Sequence, residues 1–357
     1  MRRIGLFAIA MLFACIGRGT AAEPSTSETA PQQLVVSLER IWDRPGHAAF
    51  TDILLHDGAL YCSFREGSGH VPGDDGLNGV IRVLRSRDRQ NWESIALLAE
   101  EHVDLRDPKL SLTPDGRVMI NCGASTYHGK TRLKVESRVA FSDTSGENFS
   151  APVRVELPKA IVTGSDWLWR ITWHEDAAWG AVQQVPPGKP RLLQIVKSTD
   201  GVHYERVSQV PVDTPSETTL RFAEDGTLLA MIRGEGSPKI GSLGRAKAPY
   251  TEWQITTSNK RFGGPNFVHL VDDAWLAGSR AYDTNPHTTQ LWWLDVATAE
   301  CRELLKLPSA GDNSYPGFAI DRERGLVYVS YYSSHEGKAA IYLVTLRLAA
   351  LEQFAKR

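Results

Sequence analysis

The chain has 357 residues, with 42 acidic and 40 basic side chains and a formal charge of −2. That balance excludes a basic nucleic-acid-binding protein. The 42% hydrophobic content, with 10 Trp, 10 Tyr and 11 Phe, excludes a disordered one. Length alone suits two domains, but β-rich single domains run long, so internal repeats have to decide.

Residues 1–22 read as a signal peptide: Arg2 and Arg3 start it, an apolar run covers 4–16, and Thr20-Ala21-Ala22 supplies small residues for cleavage. The sequence thus predicts export, to the periplasm or the medium, with no membrane span. Arg2, Arg3 and Arg18 leave with the signal and no acid does, so the remainder is more acidic, at −5. A flexible segment is expected over 23–33, a propeller over 34–348 and a short tail over 349–357, helical at 348–356. Cys62, Cys122 and Cys301 remain after cleavage, without CxxC or His-rich spacing, so neither a disulfide framework nor a zinc site is indicated, although one bridge between Cys62 and Cys122 stays open.

From residue 34 on, short apolar runs alternate with turns almost to the end. His56-Asp57-Gly58, Pro114-Asp115-Gly116, Glu224-Asp225-Gly226 and Glu323-Arg324-Gly325 each separate two such runs, as tight hairpins needing a positive φ do. The runs that follow, 59–64, 117–122, 227–232 and 326–331, are rich in β-branched or aromatic residues and read as equivalent strands. Ser86-x-Asp88 with Trp92 and Ser198-x-Asp200 with Tyr204 share one pattern, and Ser142 to Phe149 is a degenerate copy; the starts 86, 142 and 198 are 56 residues apart. Sheet repeats of about this length predict an all-β, six-bladed propeller of four-stranded antiparallel blades. The units fall at 47–99, 102–157, 160–210, 213–257, 262–306 and 310–347, and residues 34–41 close the ring as the outermost strand of the last blade.

The Ser-x-Asp-x-x-x-Trp element resembles the Asp box of the sialidase superfamily, and the resemblance extends over nearly the whole chain after the signal. Asp88 and Asp200 are then scaffold, tying off hairpins. Propeller pockets are lined by the starts of inner strands and the ends of second strands. Arg65, Arg233 and Arg280 all fall at the end of a second strand, a registration that points to a shared basic pocket gripping a carboxylate. His335 and Glu336 share that phase in the last blade and are expected as substrate contacts, as is Arg170. Trp167, Trp169 and Trp173 alternate along one strand opposite Arg170 and read as packing between blades. His47, His70, His128 and His287 lie on loops and read as rim positions.

The resemblance implies further roles. Tyr315, in the first strand of the last blade, matches the nucleophilic Tyr; Glu217 matches its activating Glu; Arg233 and Arg280 match two of three carboxylate-binding arginines. Asp75, preferred to Asp74 by its register with the first box, matches the acid. The family's first Arg stands in an Arg-Ile-Pro where this chain has Phe50-Thr51-Asp52, and Arg65 and Arg106 are the nearby substitutes. The implied protein is a cofactor-free, monomeric exo-glycosidase acting with retention on a terminal acidic sugar, sialic acid or a relative. A non-catalytic propeller binding acidic glycans and a lyase on a uronic acid are the alternatives. Asp74, Asp75 and Asp107 are the residues on which a channel Ca²⁺ would depend.

Overall fold

The computed structural model describes residues 34–44, 46–73 and 76–355. The expected signal at 1–22 and the segment 23–33 lie outside the described residues, as do Asp74 and Asp75. The chain builds six four-stranded antiparallel sheets arranged as a β-propeller. The segment β1 (Val35–Trp42) pairs with the last strand of the chain. Blade one is β2 (His47–His56), β3 (Ala59–Gly67), β4 (Val80–Ser86) and β5 (Glu93–Leu98), and blade two is β6 (Asp104–Leu112), β7 (Val118–His128), β8 (Thr131–Phe141) and β9 (Val153–Arg154). Blade three is β10 (Asp166–His174), β11 (Ala177–Gln184), β12 (Leu192–Ser198) and β13 (Glu205–Gln209), and blade four is β14 (Pro215–Phe222), β15 (Leu228–Gly234), β16 (Ser242–Ala246) and β17 (Gln254–Thr257). Blade five is β18 (Asn266–Val271), β19 (Ala274–Ala281), β20 (Thr288–Leu294) and β21 (Cys301–Lys306). Blade six is β22 (Asn313–Asp321), β23 (Leu326–Ser333) and β24 (Ala340–Arg347), completed by β1 on its outer edge. The last blade therefore joins both ends of the ring, and a helix α1 (Leu348–Ala355) follows it.

The Asp-Gly turns do what their chemistry requires: Gly58, Gly116, Gly226 and Gly325 all have positive φ, between 64° and 81°. The Ser-x-Asp elements close the turns after β4 and β12. Asp88 Oδ1 accepts from the amides of Gln90 and Asn91 at 2.9 and 2.7 Å, and Asp200 Oδ1 from Val202 and His203 at 2.8 Å each. Trp92 and Tyr204 pack into wedges of core beside these turns. The core is split by the radial layout into such wedges: one between blades one and two around Tyr61, Ile81 and Ile120, another between blades four and five around Met231, Phe262 and Trp292. Leu348 and Leu351 of α1 cap the wedge between blades five and six. Cys62, Cys122 and Cys301 are buried and free, so no bridge forms between Cys62 and Cys122. Among the described residues, no helix is long and apolar enough to cross a membrane.

One irregularity recurs in every inner strand. In β2, β6, β10, β14 and β22 the pairing with the next strand slips by one residue, at Phe50-Thr51, Asp107-Pro108, Trp169-Arg170, Ser216-Glu217 and Tyr315-Pro316. In blade five the bond from Arg280 N–H to the Gly263 carbonyl (3.0 Å), followed by pairing of Asn266 with Gly278, leaves Gly264-Pro265 as the same extra step. An extra residue in one strand re-aims the side chains around it, which is how bulges serve sites. Phe50, Asp107, Gly264 and Tyr315 take positive φ there, at 63°, 53°, 66° and 56°. Pro follows three of them, in positions that owe no amide to the ladder.

Candidate active site

The six bulges converge on one ring. Tyr315 donates its hydroxyl to Glu217 Oε1 at 2.6 Å. Phe50 lies against the Tyr315 ring with centroids 5.2 Å apart and Trp169 with centroids 5.6 Å apart. Gly264 supplies bare backbone: a Cβ there would sit 2.6 Å from Tyr315 Cγ, so only glycine lets the ring lie where it does. The Gly264 amide donates to Glu217 Oε2 at 2.7 Å, and Arg233 Nη1 donates to the same oxygen at 2.8 Å. Tyr332 packs 5.9 Å from Tyr315 on the remaining side. Tyr315, Glu217 and Phe50 are almost wholly buried, while the Arg233 and Arg280 side chains keep 18% and 19% exposure, so the opening lies at the arginines.

The electrostatics polarise this pair. Burial raises the Tyr315 hydroxyl well above the ordinary phenol, and the neighbouring Glu217 charge raises it further. Burial also pushes Glu217 up, but the Arg233 charge and the bonds from Tyr315, Arg233 and Gly264 overcome it and hold the carboxyl below its usual range. The resting state is thus a neutral phenol hydrogen-bonded to a carboxylate. Lys109, fully buried, places its ammonium 4.8 Å from the Trp169 ring centre and 5.5 Å from that of Tyr315, bonded to the Thr51 carbonyl at 3.2 Å. Burial, with the nearby Arg170 charge, brings Lys109 down to about 8. Burial raises the Asp107 carboxyl, against the lowering effect of Arg106.

The other sequence-predicted residues separate into those near the ring and those away from it. Arg106 stacks over Phe50 at 4.9 Å, with Nε on Asp107 at 3.0 Å and Nη1 on Tyr127 Oη. Arg280 donates Nε to the Asn313 carbonyl at 2.9 Å, and its Nη2 lies 3.3 Å from Asp312 and 3.2 Å from Tyr332 Oη. Arg65 is fully buried in a two-point pair with Asp104, at 3.1 and 2.5 Å, and donates to the Gly69 carbonyl at 2.7 Å. It anchors the loop after β3 and presents nothing to a ligand. Arg170 is buried, and its Nη1 meets Asp52 Oδ2 at 2.6 Å, so it is paired within the protein. His335 and Glu336 lie beyond the end of β23 on the exposed face, where Glu336 accepts from Arg40 of β1 at 2.7 Å and from Tyr342 at 2.9 Å. They fasten the closing strand. Asp75 lies outside the described residues. Trp169, beside the β10 bulge, packs between blades as expected, against Trp167 with centroids 5.0 Å apart and against Tyr315 of blade six.

Three further groups were not singled out by their spacing. Asp312, just before β22, gathers Tyr332 Oη at 2.8 Å, His47 Nε2 at 2.9 Å and His70 Nδ1 at 2.7 Å. Lys109 and Gly264 follow and form part of the bulges, and the X-Pro dipeptides at 107, 264 and 315 were the readable sign of them. The grooves on the outer surface, such as the one lined by Lys134, Glu136 and Arg154, share no residue with this site.

Solved structures share the fold. A protein of unknown function from Dyadobacter fermentans superposes with a TM-score of 0.75 at 17% identity, covering 88% of this chain and 98% of its own. Trypanosoma rangeli sialidase, in a complex with 2,3-difluorosialic acid described as a covalent intermediate, superposes at 0.69 with 14% identity, over 90% of this chain and 60% of that one. The Hadza microbial sialidase Hz136 does so at 0.63 with 17% identity, over 85% and 66%. The fold is a sialidase-like propeller. At these identities the likeness carries the fold alone, and the chain spans less than two thirds of either sialidase. No protein-family model matches the chain, and no curated protein matches it.

Proposed function

We propose that this protein is an exported, sialidase-like exo-glycosidase that releases a terminal acidic sugar with retention, using Tyr315 as nucleophile. The observation that carries this reading is the 2.6 Å bond from the Tyr315 hydroxyl to Glu217. A neutral phenol is a poor nucleophile, and a carboxylate in direct contact takes its proton as the oxygen attacks. A carboxylate-bearing anomeric centre would repel an anionic nucleophile, which a phenol avoids. Arg233 and Arg280, each partly open to solvent with N–H groups left over, face the sugar carboxylate, with Arg106 over Phe50 as the third cation. Asp75, which lies outside the described residues, is assigned the role of acid that the family resemblance implies.

The reading is tested by incubating the protein with sialosides, related keto-sugar acid glycosides and uronides, and with a 2,3-difluoro acidic sugar. Sugar release, and a covalent adduct located on Tyr315 by peptide mass spectrometry, are expected; Tyr315→Phe abolishes both. Turnover unchanged in Tyr315→Phe would overturn the mechanism. Phe50, standing where the family keeps its first arginine, favours a second reading, a binding propeller without turnover. That reading predicts acidic-glycan affinity that survives Tyr315→Phe and is lost in Arg233→Ala.

A further inference from the structure

Asp312 is the meeting point of two histidines from different parts of the ring. His47 opens β2, His70 lies in the loop after β3, and Asp312 precedes β22. The three donor atoms, His47 Nε2, His70 Nδ1 and an Asp312 oxygen, lie within 4.8 Å of one another. Both imidazoles address the same oxygen, Oδ2, at 2.9 and 2.7 Å, while Oδ1 is held by Tyr332 and Arg280. The carboxylate is thereby oriented from behind, as outer partners orient metal ligands. Exposure rises across the cluster, from 15% at the His47 side chain through 25% at Asp312 to 51% at His70, so one side is open to water or a ligand.

We propose that His47, His70 and Asp312 form a binding site for one divalent transition-metal cation at the mouth of the pocket. Two imidazoles and one carboxylate are a borderline donor set, suited to Zn²⁺ or Co²⁺ and poorly suited to Ca²⁺ or Mg²⁺, which take oxygen ligands. A cation about 2.0–2.2 Å from each donor needs donor separations of about 3.3 Å in a tetrahedron. The two short contacts have to lengthen by a few tenths of an ångström, which the exposed His70 on its loop permits. Three protein ligands leave a fourth position for water or a substrate oxygen. His47 Nδ1 is buried without a partner among the described residues, so the proton it takes up on metal binding is unsupported. Sites lacking that outer bond are about 10–100-fold weaker, which sets the expectation at micromolar affinity rather than tighter.

The site also explains a gap. His70 and His47 pack on Phe50, with ring centroids 5.1 and 6.4 Å away, so a cation here restores positive charge beside the position where the family's first arginine is missing. That part rests on the glycosidase reading, whereas the metal site itself does not. The test uses tag-free, chelator-treated full-length protein titrated calorimetrically with Zn²⁺, and with Co²⁺ followed by its visible d–d absorption. One equivalent per chain is expected in the wild type and in Tyr315→Phe alike, with at least a tenfold loss of affinity in His70→Ala and in Asp312→Asn, and no displacement by tenfold Ca²⁺. Absence of saturable binding, or binding unchanged by His70→Ala, overturns the site. Sugar release that persists in that case leaves the glycosidase reading standing.

Discussion

Adding a single methyl group at Gly264 separates what the Tyr315 position does from what the fold needs. Its Cβ would fall 2.6, 2.7 and 2.9 Å from three atoms of the Tyr315 ring, where carbon contacts ordinarily sit at about 3.5–4.0 Å. The ring has to withdraw by roughly 1 Å, yet Phe50, Trp169 and Tyr332 enclose it, so overpacking costs about 1–3 kcal/mol. The backbone, at φ +66°, adds about 1–2 kcal/mol for any side chain. Gly264→Ala is therefore expected to lose about 2–5 kcal/mol, a drop on the order of 5–10 °C in Tm. A displacement of that size at a reacting atom lowers kcat by about 100-fold. Gly226→Ala is the control: its φ is +76° and nothing lies within 4 Å of the added atom. It carries the backbone cost of about 1–2 kcal/mol with no effect on turnover. Calorimetric unfolding and initial rates on a released acidic sugar are measured for both variants. Equal rates in Gly264→Ala and Gly226→Ala would refute the claim that the glycine holds the Tyr315 ring where the proposed reaction needs it.

The buried charges near the site offer two more tests. Arg170 and Asp52 form a buried pair across 2.6 Å, and Arg170→Met leaves the Asp52 charge without its guanidinium partner, at an expected cost of about 3–5 kcal/mol by denaturant unfolding. Restoration of most of that loss in Arg170→Met combined with Asp52→Asn checks that the orphaned charge is the cause. Lys109 has a folded value of about 8 against 10.5 for an ordinary lysine, so between those pH values the unfolded chain holds a proton that the folded chain lacks. Stability therefore rises with pH through that window, and the burial cost is fully present below pH 8. The unfolding free energy of the wild type should rise by about 3 kcal/mol relative to that of Lys109→Met between pH 8 and 10.5, and no relative change would contradict it.

The architecture was legible because its signals are local and repeated. Asp-Gly turns and Ser-x-Asp elements mark hairpins by their own backbone chemistry, and their spacing gave the blades without any tertiary contact. The contact between Tyr315 and Glu217 was legible for a different reason, since both lie near the start of an inner strand. What alternation could not show was the effect of one extra residue. At the β10 bulge the pairing slips by one residue, and there Trp169 packs on the Tyr315 ring of blade six and Arg170 is buried in its pair with Asp52. Registration at the end of the second strand was also too coarse. Arg65, Arg233 and Arg280 share that position, but Asp104 lies directly against Arg65 and consumes it, which depends on a residue 39 positions away. Asp312 with His47 and His70 joins segments more than 200 residues apart, and only closure of the ring brings them together.

The six bulges also explain why the site is built from rigid parts. In the proposed reaction Glu217, whose oxygen lies 2.6 Å from the Tyr315 hydroxyl, takes the proton as the phenol oxygen bonds to the anomeric carbon, so the pair goes from one negative charge to none and the electron pair leaves with the aglycone oxygen, which the acid protonates. Arg233, bonded to Glu217, and Lys109, near the Tyr315 ring, already stand beside the carboxylate that holds the charge before attack. Electrostatic stabilisation of that kind depends on groups already in place, since any that must reorient charge the cost to the barrier. Positive-φ residues followed by proline fix the backbone at Asp107, Gly264 and Tyr315, so three of the six strands deliver their groups from positions with little freedom to relax. In an otherwise acidic chain, the cations that matter are those the bulges and the second strands hold against this one ring.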